Sequence, residues 1–184
     1  MFRDIEIICV HSDNSRSLLR LKSSIRLYLG NIKMRVIDGS GKKERRVLKA
    51  MMRQGDPFFT VEFHKEKLQQ GIDLGIRTSL YSYVLVINPN IRIKEEAHTD
   101  SLIKEMRRYA RSSYGVGHVS LVQGIPYLHP MCMMINKKEY LKWPAFEDGE
   151  MGCMKAMVAL AEANKSGNVV KLKNSKSYWT SRDR

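Results

Sequence analysis

Apolar residues along this chain fall into short runs separated by stretches of helical spacing, and the two patterns alternate. Ile5-Glu6-Ile7-Ile8-Cys9-Val10 and Met34-Arg35-Val36-Ile37 read as strands. Between them Leu18, Leu21, Ile25 and Leu29 recur every three or four residues, one apolar helical stripe that Gly30 closes. Lys42 to Arg53 is helix-prone, with Val47, Leu48, Met51 and Met52 expected on its buried side. Phe58 to Phe63 is aromatic and β-branched, a third strand. A helix is expected from Lys65 to Ser79, with Leu68, Ile72 and Ile76 inward. Its Gly71 and Gly75 lie four apart on one face, where glycine permits close approach of another backbone or a ligand. Val84, Leu85, Val86 and Ile87 form an unbroken apolar run that predicts a strand buried on both faces. Pro89 lacks an amide proton, so that strand should stop at Asn88 and re-emerge briefly over 91–93.

Beyond Asn90 the pattern predicts a helix over 97–112 with Leu102, Ile103 and Met106 inward, then strands at Gly115–Val122 and Tyr127–Asn136. A short helix from Lys137 to Trp143, a helix reaching Asn164 and a last strand at Val169–Leu172 follow. Met151, Met154, Met157, Val158 and Ala161 are available for packing on the second of these helices. The β-α-β-α-β-α-β order predicts a single α/β domain over 1–172, its sheet mostly parallel, its helices on both faces and its crossovers right-handed. Residues 173–184 read as a basic tail, held only where Tyr178 and Trp179 dock.

A chain of 184 residues can bury a full core without staples. Three cysteines are an odd number with no Cys-x-x-Cys pair, which argues against a disulfide framework or a cysteine-built zinc site and for a reducing compartment. With no signal-like N-terminus and no apolar run near the roughly 18 residues of a membrane span, a cytoplasmic location is expected. The net charge of +13 is what changes the picture, because it implies a polyanionic partner: nucleic acid, an anionic membrane surface or a phosphorylated ligand.

In open α/β sheets ligands meet the carboxyl ends of the strands. Three polar turns fall there: His11 after the first strand, Asp38-Gly39-Ser40-Gly41 after the second, and Asn88-Pro89-Asn90 after the fourth. Each also has a plain structural reading, as a local hydrogen bond or a turn residue. His118 and His129 have no spacing that marks a metal site, and the methionines at 131, 133 and 134 read as core packing.

The order of these parts resembles the nucleotide-diphospho-sugar transferase (GT-A, Rossmann-like) fold, and within it the family 2 glycosyltransferases. The likeness rests on the first β-α unit, on Val36-Ile37-Asp38-Gly39-Ser40, on the glycine-bearing helix leading to Asn88-Pro89-Asn90, and on Phe146-Glu147-Asp148 with its following helix and Val169-Val170. It spans roughly Ile5 to Leu172. The resemblance implies sugar transfer from a nucleotide-diphosphate donor, UDP-type, to an acceptor hydroxyl. It implies donor binding by His11, Asp38, Gly71, Asn88 and Asn90. Asp148 would be the general base of the Glu147-Asp148 pair, with Glu147 and Glu150 as the other carboxylates. At a helix start Asp148 would also favour the helix dipole. Family members usually hold Mn2+ or Mg2+ on aspartates where this chain has Asn88 and Asn90, and neutral amides are weak ligands for a hard cation. No metal ligand is therefore assigned. Lys65, Lys67 and Arg92 are candidates to meet the leaving-group charge instead. A second reading keeps the fold without the catalysis, as a binding protein for nucleotide sugar or nucleic acid.

Overall fold

A computed structural model describes residues 2–64, 67–93, 99–147, 149, 151–173 and 179–181. Its elements run β1 (Ile5–His11), α1 (Ser15–Leu29), β2 (Lys33–Asp38), α2 (Lys42–Arg53), β3 (Phe59–Phe63), α3 (Leu68–Thr78), β4 (Tyr83–Ile87) and β5 (Ile91–Ile93). They continue with α4 (Thr99–Ala110), β6 (Gly115–Val122), β7 (Ile125–Asn136), α5 (Lys137–Tyr140), α6 (Met154–Glu162), β8 (Val169–Lys171) and β9 (Trp179–Ser181).

The main sheet has seven strands in the order β3-β2-β1-β4-β7-β6-β8. β1, β2, β3 and β4 are parallel, and β7 runs antiparallel to both β4 and β6. β6 is in turn parallel to β8, so β7 alone is reversed. The expected mostly parallel α/β sheet is what forms. Helices cover both faces, because β1 and β4 are apolar at every second position on each side. Ile5, Ile7 and Cys9 of β1 pack with Leu18, Leu48 and Met106 of α1, α2 and α4. Ile8 and Val10 point the other way and pack with Ile72 and Ile76 of α3 and with α6. That two-sided burial is the reason β4 reads as a continuous apolar run.

The glycines of α3 are explained by this packing. A Cβ on Gly75 would lie 2.6 Å from Ile8 Cγ2, and one on Gly71 would lie 2.9 Å from Val10 Cγ1. Neither glycine leaves room for a side chain where α3 rests on β1.

Four residues expected to face the core are exposed instead. Val47 lies off the α2 stripe that Leu48 and Met51 form, Leu68 opens α3 before its buried face begins, Met131 lies in β7 just before the stretch that pairs with β4, and Met151 sits in a turn that precedes α6. β7 starts at Ile125, earlier than expected, because Gln123 and Gly124 both adopt positive φ (51° and 80°) and make a two-residue hairpin turn. β7 pairs with β4 only over Cys132–Asn136, with Ile87 opposite Cys132. The rest of the β6–β7 hairpin projects past the carboxyl end of β4. In the tail, Trp179 lies in β9, which pairs antiparallel with β5 from Ile91↔Ser181 to Ile93↔Trp179. Tyr178 lies outside the described residues.

Candidate functional site

His11 ends β1 and Asp38 ends β2, opposite each other in the parallel register. Both side chains are fully buried, and His11 Nδ1 donates to Asp38 Oδ1 at 2.8 Å. The turn that follows folds back onto the same carboxylate. The Ser40 amide donates to Oδ1 at 3.2 Å and the Ser40 hydroxyl to Oδ2 at 2.9 Å. Arg45, one turn into α2, brings Nε to 3.6 Å from Oδ2. These donors fix the Asp38 carboxyl in place between His11 and Arg45.

His11 Nε2 has no hydrogen-bond partner among the described residues and points toward Glu44 Oε2, 3.9 Å away. Glu44 sits in the first turn of α2 and accepts the Ser15 amide at the start of α1 at 2.8 Å, so one carboxylate serves two helix N-termini. The Ser15 hydrogen bond holds its carboxyl below the usual carboxylate range.

At the neighbouring strand end the turn is built differently. The Asn88 amide donates to Met131 O, Asn88 Oδ1 accepts the Asn90 amide at 2.9 Å, and the Ile91 amide donates to Asn88 O. Asn88 thus shapes its own turn, while the Asn90 side chain is exposed. The segment after Phe146 closes the same end of the molecule. A Cβ on Gly152 would stand 2.1 Å from Glu147 O and 2.4 Å from Gln69 Cγ, so this segment is pressed onto the first turn of α3. Gln69 also accepts from the Cys153 thiol, whose pKa burial pushes up to about 12. Two residues further along α3, Gly71 rests on Val10, next to His11. Glu147, exposed, pairs with Lys155 at 2.6 Å. Asp148 and Glu150 lie outside the described residues, as does Lys65.

The candidate positions therefore divide. His11, Asp38 and the Asn88 turn share one sheet edge, and Glu147 approaches it through α3. Asp38 has no open face there, so its reach to a ligand runs through His11, Ser40 and Arg45 rather than through its own oxygens. Gly71 faces the sheet, and its missing side chain is accounted for by Val10. Neither Asn88, whose oxygen is engaged, nor exposed Asn90 offers the carboxylates that Mn2+ or Mg2+ prefers. No group of three or more His, Cys, Asp or Glu gathers among the described residues. The residues described here do not fit a hard-cation site.

One pair that the sequence reading gave no shared role comes together. His118 and His129 stack with ring centroids 4.8 Å apart, and Ser120 Oγ lies 2.8 Å from His129 Nε2. Burial, and next His118, push the pKa of His129 below its ordinary value. The signal was present: residues 118 and 129 are equidistant from the Gln123-Gly124 turn.

No protein-family profile and no curated protein sequence matches this chain. Solved structures do match, at low identity. A mannosyltransferase from Pyrobaculum calidifontis, solved with GDP-Man and Mn2+, superposes with a TM-score of 0.71 at 11% identity, over 94% of this chain and 55% of its own. S. aureus TarS (1–349) gives 0.63 at 12% over 96% and 59%, and TarS has also been solved with UDP. A putative glucose-1-phosphate thymidylyltransferase from Bacillus anthracis gives 0.60 at 10% over 96% and 89%. The chain spans little more than half the length of the first two. Its fold is that of the nucleotide-diphospho-sugar transferases.

Proposed function

We propose that this chain binds a nucleotide-diphosphate sugar at the carboxyl edge of β1, β2 and β4 and transfers the sugar to an acceptor hydroxyl. The observation that carries the reading is the buried His11–Asp38 pair at that edge, tied to Ser40, Arg45 and Glu44, in a fold whose solved relatives bind GDP-mannose and UDP. His11, Ser40 and Arg45 then face the nucleotide, and Asp38 and Glu44 hold them in position. The acceptor oxygen attacks the anomeric carbon, the bond from that carbon to the diphosphate oxygen breaks, and the acceptor proton passes to Asp148 as base. The Asn88 turn offers only neutral amides to a cation, so the charge of the departing diphosphate falls to basic side chains, Lys67 and Lys155 among them. The exposed cations of α2 (Lys42, Lys43, Arg46 and Lys49) form a basic face in keeping with an anionic acceptor.

A second reading, a binding protein without transfer activity, draws on the Asn88-Pro89-Asn90 turn, where amides stand in place of carboxylates. Calorimetric titration with UDP, GDP and their sugars, with Mn2+ and with chelator, tests both. Saturable binding that survives the chelator, with slow donor hydrolysis lost in Asp148→Asn, supports the transferase. Binding with no hydrolysis under any condition supports the second reading. No binding of any nucleotide overturns both.

A further inference from the structure

We propose that His118 and His129 form a binding site for one divalent transition-metal ion of the kind that takes imidazole nitrogen, such as Zn2+. The site is separate from the Asn88 turn. The hairpin register sets Val119 opposite Leu128 and Ser120 opposite Tyr127, and the ring of His118, just beyond that stretch of the ladder, comes to 4.8 Å from the ring of His129. A register shift lies between Gly117 and Val119, so the pair sits where the ladder is already opened.

The spacing suits an ion. Two imidazoles that each ligate at about 2.0–2.1 Å, with a near-tetrahedral angle at the metal, hold their ring centres on the order of 5 Å apart. The observed centroid separation of 4.8 Å is of that order. Ser120 supplies the outer contact such a ligand needs. When His129 Nε2–H donates to Ser120 Oγ, 2.8 Å away, the free lone pair is left on Nδ1. Both histidines are half-buried, so an ion can reach them, whereas all three cysteines are buried and do not compete. Because no third His, Cys, Asp or Glu joins them among the described residues, water fills the remaining positions. Imidazole selects Zn2+, Ni2+ or Cu2+ over Mg2+ and Mn2+. An ion here would clamp β6 to β7 in the projecting hairpin, whose Tyr127 hydroxyl neighbours the Cys153 thiol at the start of α6.

The test is calorimetric titration of the full chain with ZnCl2 in the absence of nucleotide, so that its outcome is independent of the transferase reading. One equivalent should bind with a dissociation constant in roughly the micromolar range. His118→Ala and His129→Ala should each weaken it at least about tenfold, and Ser120→Ala by roughly tenfold. Unchanged binding in the double histidine variant, or no saturable binding by the wild type, overturns the proposal. Imidazole nitrogen NMR of the wild type decides the matter should the variants fail to fold. Zn2+ must shift the His118 and His129 signals first, and a first shift at His11, His64 or His98, or none at all, overturns it.

Discussion

At the ends of β1 and β2, a fully buried aspartate meets His11, Ser40 and Arg45, while the adjacent end of β4 leaves Asn90 exposed and uses Asn88 to hold its own turn. The two strand ends neighbour each other in one sheet, so the difference arises from what packs against them. α2 delivers Glu44 and Arg45 onto the β1–β2 end. Among the described residues, the hydrogen bond that the β4 end receives from another element is to backbone, the Met131 carbonyl of β7. One half of the rim is thus preorganised by charge and the other by a local turn. Charge-held geometry is costly to disturb and pH-sensitive, whereas turn-held geometry is cheap to alter.

Substitution at Asp38 should break this contrast most strongly. Asp38→Asn leaves buried His11 and half-buried Arg45 without their carboxylate and is expected to cost about 2–4 kcal/mol, read from urea unfolding midpoints. A change under about 0.5 kcal/mol would mean that the two ends are equally tolerant. On the β4 side, Asn88→Ala removes one side-chain hydrogen bond and should cost about 1 kcal/mol, with Asn90→Ala close to neutral. Equal losses for the two asparagines would show that Asn90 has a structural bond of its own in solution. The smallest effect concerns acid. The Glu44 carboxyl is held low in the folded state, so the folded chain releases that proton more readily than the unfolded one. Its stabilisation is fully present above the unfolded carboxylate range near pH 4.5 and fades as pH falls through the lowered folded value. Glu44→Gln should flatten the decline in unfolding midpoint between pH 6 and pH 3.5, and Asn88→Ala should leave that slope unchanged.

The elements that could be read in the sequence are those whose pattern is set by the sheet itself. α2 and β6 fall on the bounds that periodicity predicts, and the apolar run of β4 is buried on both faces as expected. Where only one turn of helix was in question, as at Leu68 and Met151, apolar character did not decide burial, because a helix end can point past the core. In the site, the strand-end positions of His11, Asp38 and Asn88 were legible, since a polar residue after an apolar run marks a strand end. Their partners were not. Glu44 and Arg45 lie in a segment that reads only as a helix, and its crossing over β1 and β2 brings them to His11 and Asp38. Of the two reasons the sequence offers for Gly71, close approach or a ligand, the close approach is visible in the contact of α3 with Val10.

The two-stranded ladder of β5 and β9 gives the rim a gradient of local stability. β4 is locked between β1 and β7, while after three intervening residues β5 has a ladder of only three residue pairs, beside its buried Ile91 and Ile93, whose halves lie ninety positions apart at Ile91 and Ser181. So short a ladder closing so long a loop opens far more often than the strand before it. Amide protons of Val84 to Ile87 should outlast those of β5 by orders of magnitude in hydrogen exchange. The Asn88-Pro89-Asn90 turn then joins a strand paired on both sides in the main sheet to one held by three β9 pairs and by the burial of Ile91 and Ile93.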